Sequence, residues 1–181
     1  MLRFHYRSPM VAVLFVYCAV AQNRQPIHEP DVPYVPTPQE VVDEMLKLAN
    51  IQKGDILYDL GCGDGRIVIT AAKEYGIEAA GIDIDPERIE ESNQNAAKAG
   101  VSNKVKFIEA DLFAADISRA SVVTLYLLHS VNLKLKPKLL KELKPGTRVV
   151  SNTFSMDDWE PKKKIQAQGR TLYLWVIPEK K

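Results

Sequence analysis

The chain has 181 residues, of which 46% are hydrophobic and 26% charged. That suits one soluble globular domain with a real core and excludes both long-range disorder and a second domain of ordinary size. Net charge is +1, but residues 1–133 carry 12 Lys/Arg against 18 Asp/Glu, whereas residues 134–181 carry 12 against 5. The basic C-terminal part reads either as solvated lysines on a helix face or as a surface for an acidic partner, lipid headgroups or nucleic acid.

At the N-terminus, Arg3 and Arg7 precede an apolar run over residues 10–20, and Ala19-Val20-Ala21 has the small-x-small form of a signal peptidase site. Residues 1–21 are therefore expected to be a signal peptide-like leader, since the run is too short for an ordinary transmembrane helix. A membrane anchor and a mitochondrial-type presequence are the second and third readings. Cys18 falls in this leader and Cys62 in a glycine-rich loop, so no disulfide framework is expected. His5, His28 and His129 are scattered and give no metal-ligand spacing.

Residues 22–36 contain Pro26, Pro30, Pro33 and Pro36 and are expected to be an extended, lid-like linker. Thr37-Pro38-Gln39-Glu40 then reads as a helix start, with Thr37 as N-cap, Pro38 at the first helical position and Glu40 closing a capping box. Val41, Val42, Met45, Leu46 and Ala49 follow at helical spacing.

From Asp55 strands and helices alternate. Residues 56–60 form an apolar strand run, Gly61 to Gly65 break it, and a helix follows with Ile67, Val68, Ala71, Ala72 and Tyr75 on one face. Residues 78–83 predict the second strand, and Asp85-Pro86 the cap and first residue of a helix that stops near Gly100. Further strands are expected at 105–108, 122–127 and 148–154, with a helix carrying Leu139, Leu140 and Leu143 before the last. Beyond Pro161 the pattern changes to a hairpin, 163–167 and 171–177 about a Gln168-Gly169 turn. The expectation is an α/β fold: a doubly wound, mainly parallel sheet covered on both faces, with an antiparallel C-terminal hairpin. The domain proper spans residues 37–178.

Ligands of such sheets bind beyond the carboxyl ends of the strands. There the first loop offers Gly61-x-Gly63-x-Gly65 flanked by Asp59 and Asp64. The spacing differs from the GxGxxG of dinucleotide sites, and the acids would repel a pyrophosphate but suit a cationic ligand. Asp83, 20 residues after Gly63, ends the second strand, where a carboxylate can accept from both hydroxyls of a ribose. Asp111, after the third strand, is placed to accept from an exocyclic amine. Each acid taken singly also reads as a cap or a solvated group; three loops at matching strand ends favour a site.

Together, Asp59-Leu60-Gly61-Cys62-Gly63-Asp64-Gly65, Asp83 and Asp111-Leu112 resemble the S-adenosylmethionine site of class I methyltransferases over about residues 34–177. The resemblance implies a Rossmann-like, seven-stranded sheet. It implies that Gly61 and Gly63 lie near the methionine part of that cofactor, that Asp83 holds the ribose, that Ile84 packs on adenine and that Asp111 with the Leu112 amide reads the adenine edge. A narrower likeness rests on Pro33-Tyr34-Val35-Pro36-Thr37, Asp64-Gly65-Arg66-Ile67-Val68, Ser130-Val131, Val149-Val150-Ser151 and Trp159-x-Pro161. These resemble a lysine methyltransferase family of mitochondria and bacteria whose members modify the adenine nucleotide translocase and the ATP synthase c-subunit. That likeness implies that Tyr34 and Thr37 cover the methionine end, and that the partner is a protein with an accessible lysine, membrane proteins included.

Methyltransferases of amides and nucleobases often carry Asn/Asp-Pro-Pro-Tyr after the fourth strand; here Leu125-Tyr126-Leu127-Leu128-His129-Ser130 stands in its place. This speaks against glutamine and adenine acceptors. Tyr34 and His129 are the candidate catalytic residues, His129 to orient or deprotonate the acceptor, with a structural histidine at a strand end as the alternative. A small-molecule methyltransferase and a non-catalytic binder of S-adenosylmethionine are the competing readings. No nucleic-acid partner is expected, because the basic part lacks interleaved aromatics for base stacking. The leader suggests an exported or membrane-associated protein, and the cytosolic origin of the donor makes the cytoplasm the runner-up.

Overall fold

The computed structural model describes residues 29–179, so the leader and residues 22–28 of the linker expected at 22–36 lie outside the described residues. The first helix, α1, runs Gln39–Ala49, followed by β1 (Ile56–Leu60), α2 (Arg66–Tyr75), β2 (Glu78–Asp83), α3 (Pro86–Lys98), β3 (Val105–Glu109), β4 (Val122–Leu125), α4 (His129–Glu142), β5 (Arg148–Asn152), β6 (Lys163–Ala167) and β7 (Arg170–Val176). The strands form one seven-stranded sheet in the order β3-β2-β1-β4-β5-β7-β6. Strands β1 to β5 are parallel, and β7 enters antiparallel between β5 and the edge strand β6.

Strand residues alternate between two cores. Leu57, Ala79, Val122 and Val150 pack with Val41, Val42, Met45 and Leu46 of α1 and with Ile67, Val68 and Ala71 of α2. Their neighbours Tyr58, Ala80, Val123 and Val149 pack on the other face with Val131, Leu135 and Leu139 of α4 and with Trp175. The alternation is what a sheet buried on both sides requires, since successive side chains point to opposite faces. The chain order reverses between β1 and β4, so the carboxyl ends of these strands open a crevice.

The predicted cap of α3 is present: Asp85 accepts from the Glu87 amide at 2.8 Å. The expected cap of α1 is not. The helix begins at Gln39 with Pro38 as the capping residue, extended at ψ 146, and no side chain caps it. Thr37 is held extended by the proline after it, and its carbonyl accepts from Arg66 Nη1 at 2.8 Å. With the start displaced, Glu40 stands too early to close a capping box. Three further boundaries move: β4 ends at Leu125 and β5 at Asn152, and α4 begins at His129, ten residues ahead of the leucines that predicted it. After β5 the backbone breaks at Thr153, whose φ of 71 is incompatible with a continuing strand.

At the opposite end of the sheet, Arg148 fastens β5 to α1 and β1. Its Nη1 donates to the Ala49 and Asn50 carbonyls at 3.1 and 2.7 Å, and its Nη2 to Asp55. Asp55 also accepts from the Gln52 amide at 2.6 Å and from Ser121 Oγ at 2.7 Å. Burial pushes this carboxyl up, but the three sets of donors outweigh it and hold it below its ordinary value.

Candidate active site

The crevice is a cavity of about 460 Å³, walled by the loops after β1, β2, β3 and β4 and by residues 30–37. The loop after β1 is fixed by its own backbone. The Gly61 and Cys62 amides donate to the Ile82 carbonyl at 2.8 and 3.0 Å, and the Gly65 amide to the Cys62 carbonyl at 2.9 Å. Two of its glycines are required by what sits on them. A Cβ on Gly61 would fall 2.7 Å from Leu127 Cδ2, and one on Gly63 2.5 Å from Tyr34 Cε2, at φ values of +79 and +53. The loop thus lets neighbouring groups approach its backbone to a distance that any side chain would forbid.

Asp83 accepts from the Gly63 amide through Oδ2 at 2.8 Å and from the Asp85 amide through Oδ1 at 3.0 Å. It braces the glycine loop from the end of β2 while lining the cavity. Burial raises its proton affinity, and the backbone donors offset this in part. Asp59 is buried, accepts from Thr124 Oγ1 at 2.7 Å and also lines the cavity. Its carboxyl is pushed up to about 7, first by burial and then by the charges of Asp83 and Asp64, despite the bond from Thr124. Asp64 behaves oppositely: burial raises it, but the Arg66 guanidinium lying across both its oxygens holds it below the ordinary value.

Residues 30–37 close the open side. The Tyr34 ring rests on Gly63 and carries the Arg88 guanidinium 4.8 Å from its centroid. The Thr37 carbonyl is tied to Arg66. Tyr34, Thr37, Asp59, Gly61, Gly63, Asp64, Asp83, Ile84, Asp111 and Leu112 all line the one cavity, so residues far apart in the chain are brought together. His129 is not among the lining residues. Its Nε2 lies 3.1 Å from Asp157 Oδ1, which ties the start of α4 to the segment after β5. Among the described residues no group of His, Cys, Asp and Glu could hold a metal ion.

Sequence reasoning gave no role to Arg66 and passed over Arg88, and it took Tyr126 only as part of the segment after the fourth strand; all three line the cavity. Arg66 had left a signal: a cation at the first position of a helix opposes the helix dipole and so calls for a partner such as Asp64.

Glycine backbone that admits close approach, buried carboxylates short of counter-charge and a covered cavity at the switch point fit the cationic S-adenosylmethionine, and the molecule is an S-adenosylmethionine-dependent methyltransferase by fold and site. Residues 59–163 match the ANTKMT methyltransferase domain, and the chain belongs to that family. A protein-lysine N-methyltransferase of Saccharolobus islandicus is 52% identical over 157 residues, which cover 84% of this chain and 98% of that protein. The human lysine N-methyltransferase of the ATP synthase c-subunit is 33% identical over 130 residues, 72% of this chain; the chain spans only 55% of its length. Among solved structures, an RNA methyltransferase from Salinibacter ruber in complex with S-adenosyl-L-homocysteine superposes with a TM-score of 0.79 at 54% identity, covering 81% of this chain and 95% of that one.

Proposed function

We propose that this chain methylates the ε-amine of a lysine on a protein substrate. The observation that carries the reading is the wall after β4. Tyr126 and Leu127, with Val131 of α4, line the cavity where amide and nucleobase methyltransferases often present a polar clamp. The apolar part of this wall, Leu127 and Val131, accommodates an aliphatic stem and disfavours the charged form of the amine, whose free pKa is about 10.4. The name of the archaeal relative supports the same acceptor. The names of the animal relatives point to membrane-protein acceptors like the ATP synthase c-subunit and the adenine nucleotide translocase.

When bound, S-adenosylmethionine would supply a methyl group already activated for transfer to the neutral amine, and the surplus proton would leave with the methylated product and pass to solvent on its release. The protein's part is placement. Gly61 and Gly63 would hold the methionine portion, Asp83 the ribose, Ile84, Asp111 and Leu112 the adenine, while Tyr34 and Thr37 exclude water from the reacting end. Positioning of this kind removes most of the entropic barrier without a dedicated strong base.

The name of the Salinibacter structure favours a second reading, an RNA acceptor. The test is incubation with methyl-tritiated donor and five acceptor sets: purified ATP synthase c-subunit, adenine nucleotide translocase, poly-L-lysine, total RNA, and small catechols, amines and thiols. Methyl-lysine in a protein or poly-L-lysine hydrolysate is the expected outcome. Label confined to RNA, or to a small hydroxyl or thiol compound, overturns the lysine reading.

A further inference from the structure

Tyr126 leaves β4 at the point where that strand pairs with β1, Leu60 beside Leu125, and so emerges next to the glycine loop. Leu127, one residue on, fills the space over Gly61. Tyr126 lines the cavity as well. It is not left to find its own position. The guanidinium of Arg170 lies 5.1 Å from its ring centroid and donates through Nη1 to its hydroxyl. Arg170 opens β7, two strands away across β5, and comes straight after Gln168 and Gly169, whose φ values are 50 and 73. Two successive positive φ angles make the tight hairpin that starts β7 at Arg170. The basic hairpin, whose lysines otherwise face solvent, thus sends one cation to the site.

We infer that Tyr126, held by Arg170, positions the acceptor amine, the Tyr126 hydroxyl oxygen accepting one of its N–H groups. A phenolic oxygen accepts more than one hydrogen bond; one is taken by Arg170, which leaves the oxygen able to accept a second. A neutral amine has two N–H donors and one lone pair. Anchoring a donor on Tyr126 fixes the direction of the lone pair. The nearby cation makes the choice of protonation state as well, because an ammonium beside Arg170 is repelled and a neutral amine is not. The remaining charges that line the cavity come from elsewhere: Asp31 from the covering segment, Asp59, Asp64 and Arg66 from β1, its loop and α2, Asp83, Asp85 and Arg88 from β2, its loop and α3, and Asp111 after β3. The carboxylates among them favour cations while Arg66 and Arg88 oppose them from the α2 and α3 side, and Arg170 opposes them from the β4 and β7 side. The inference rests on the lysine reading above.

Tyr126→Phe, Arg170→Gln and Arg170→Lys are compared with the native enzyme on the acceptor that gave methyl-lysine, poly-L-lysine included, across pH, with S-adenosylhomocysteine affinity measured by calorimetry. Tyr126→Phe should lower kcat about tenfold or more and leave that affinity within about twofold. Arg170→Gln should shift the rise of kcat with pH upward by roughly one unit, and Arg170→Lys, which keeps the charge, should restore its position. Undiminished kcat in Tyr126→Phe, or a pH profile unmoved in Arg170→Gln, overturns the inference while leaving the lysine reading intact. A native enzyme that labels no lysine in any probe overturns both.

Discussion

Gly63 and Asp59 show how single residues set the properties of the cavity. A Cβ on Gly63 would meet the Tyr34 ring at 2.5 Å, and at φ +53 the backbone itself resists a side chain. Gly63→Ala should therefore displace Tyr34 and weaken S-adenosylmethionine binding by about tenfold or more, while lowering unfolding free energy by only about 1 kcal/mol; calorimetry and urea titration read the two effects separately. Asp59 sets the pH dependence. Between its ordinary value of 3.8 and its folded value of about 7 the folded protein holds a proton that the unfolded chain has released. Stability without ligand therefore falls as pH rises across that window and is level above it. A cationic ligand favours the carboxylate, so its binding expels the proton, and affinity should climb with pH up to about 7 and then flatten. Calorimetry in buffers of different ionisation heat measures the proton released; Asp59→Asn should diminish both the release and the climb, leaving the share of Asp83, which burial also raises. Of these residues, the glycines and acids were legible because each stands at a predicted strand end. The sequence held nothing to say that Asp83 would also brace Gly63, because that bond depends on how the loop folds back over β2.

Elements were legible where local chemistry and tertiary packing agree. Strand β2 and the capped start of α3 fall where Glu78, Asp83, Asp85 and Pro86 placed them. Helix α4 did not, because Pro137 lies inside it and reads as a boundary. What carries the helix past the proline is its buried row of Val131, Leu135 and Leu139 against the sheet. Thr37 was misread for a related reason: its side chain has the chemistry of a cap, but the carbonyl is committed to Arg66. Between elements, Arg148 is the fastening whose loss should be felt most. Arg148→Met leaves Asp55 buried beside α1 without its cation and should cost about 2 to 3 kcal/mol in urea unfolding near neutral pH. Because Asp55 is held below its ordinary value, its contribution is present above pH of about 4 and disappears as pH falls through the lowered value. The variant should therefore lose less stability than the native protein on acidification, the gap between the two narrowing as pH falls through that lowered value.

On the scale of the whole molecule, one sheet with helices on both faces holds the two cores, and the described residues that build them run from Val32 to Ile177. Removal of residues 1–21 should thus leave S-adenosylmethionine affinity within about twofold, measured by calorimetry on the truncated chain. The architecture also decides what the N-terminal residues are attached to. They join the body through residues 30–37, the same segment that covers the cavity, before the chain reaches α1. The attachments of this segment are Val32 against the second core, the Tyr34 ring under the Arg88 guanidinium and the Thr37 carbonyl on Arg66. An anchor or partner that took hold of the chain ahead of residue 30 would therefore be tethered to the segment that covers the cavity.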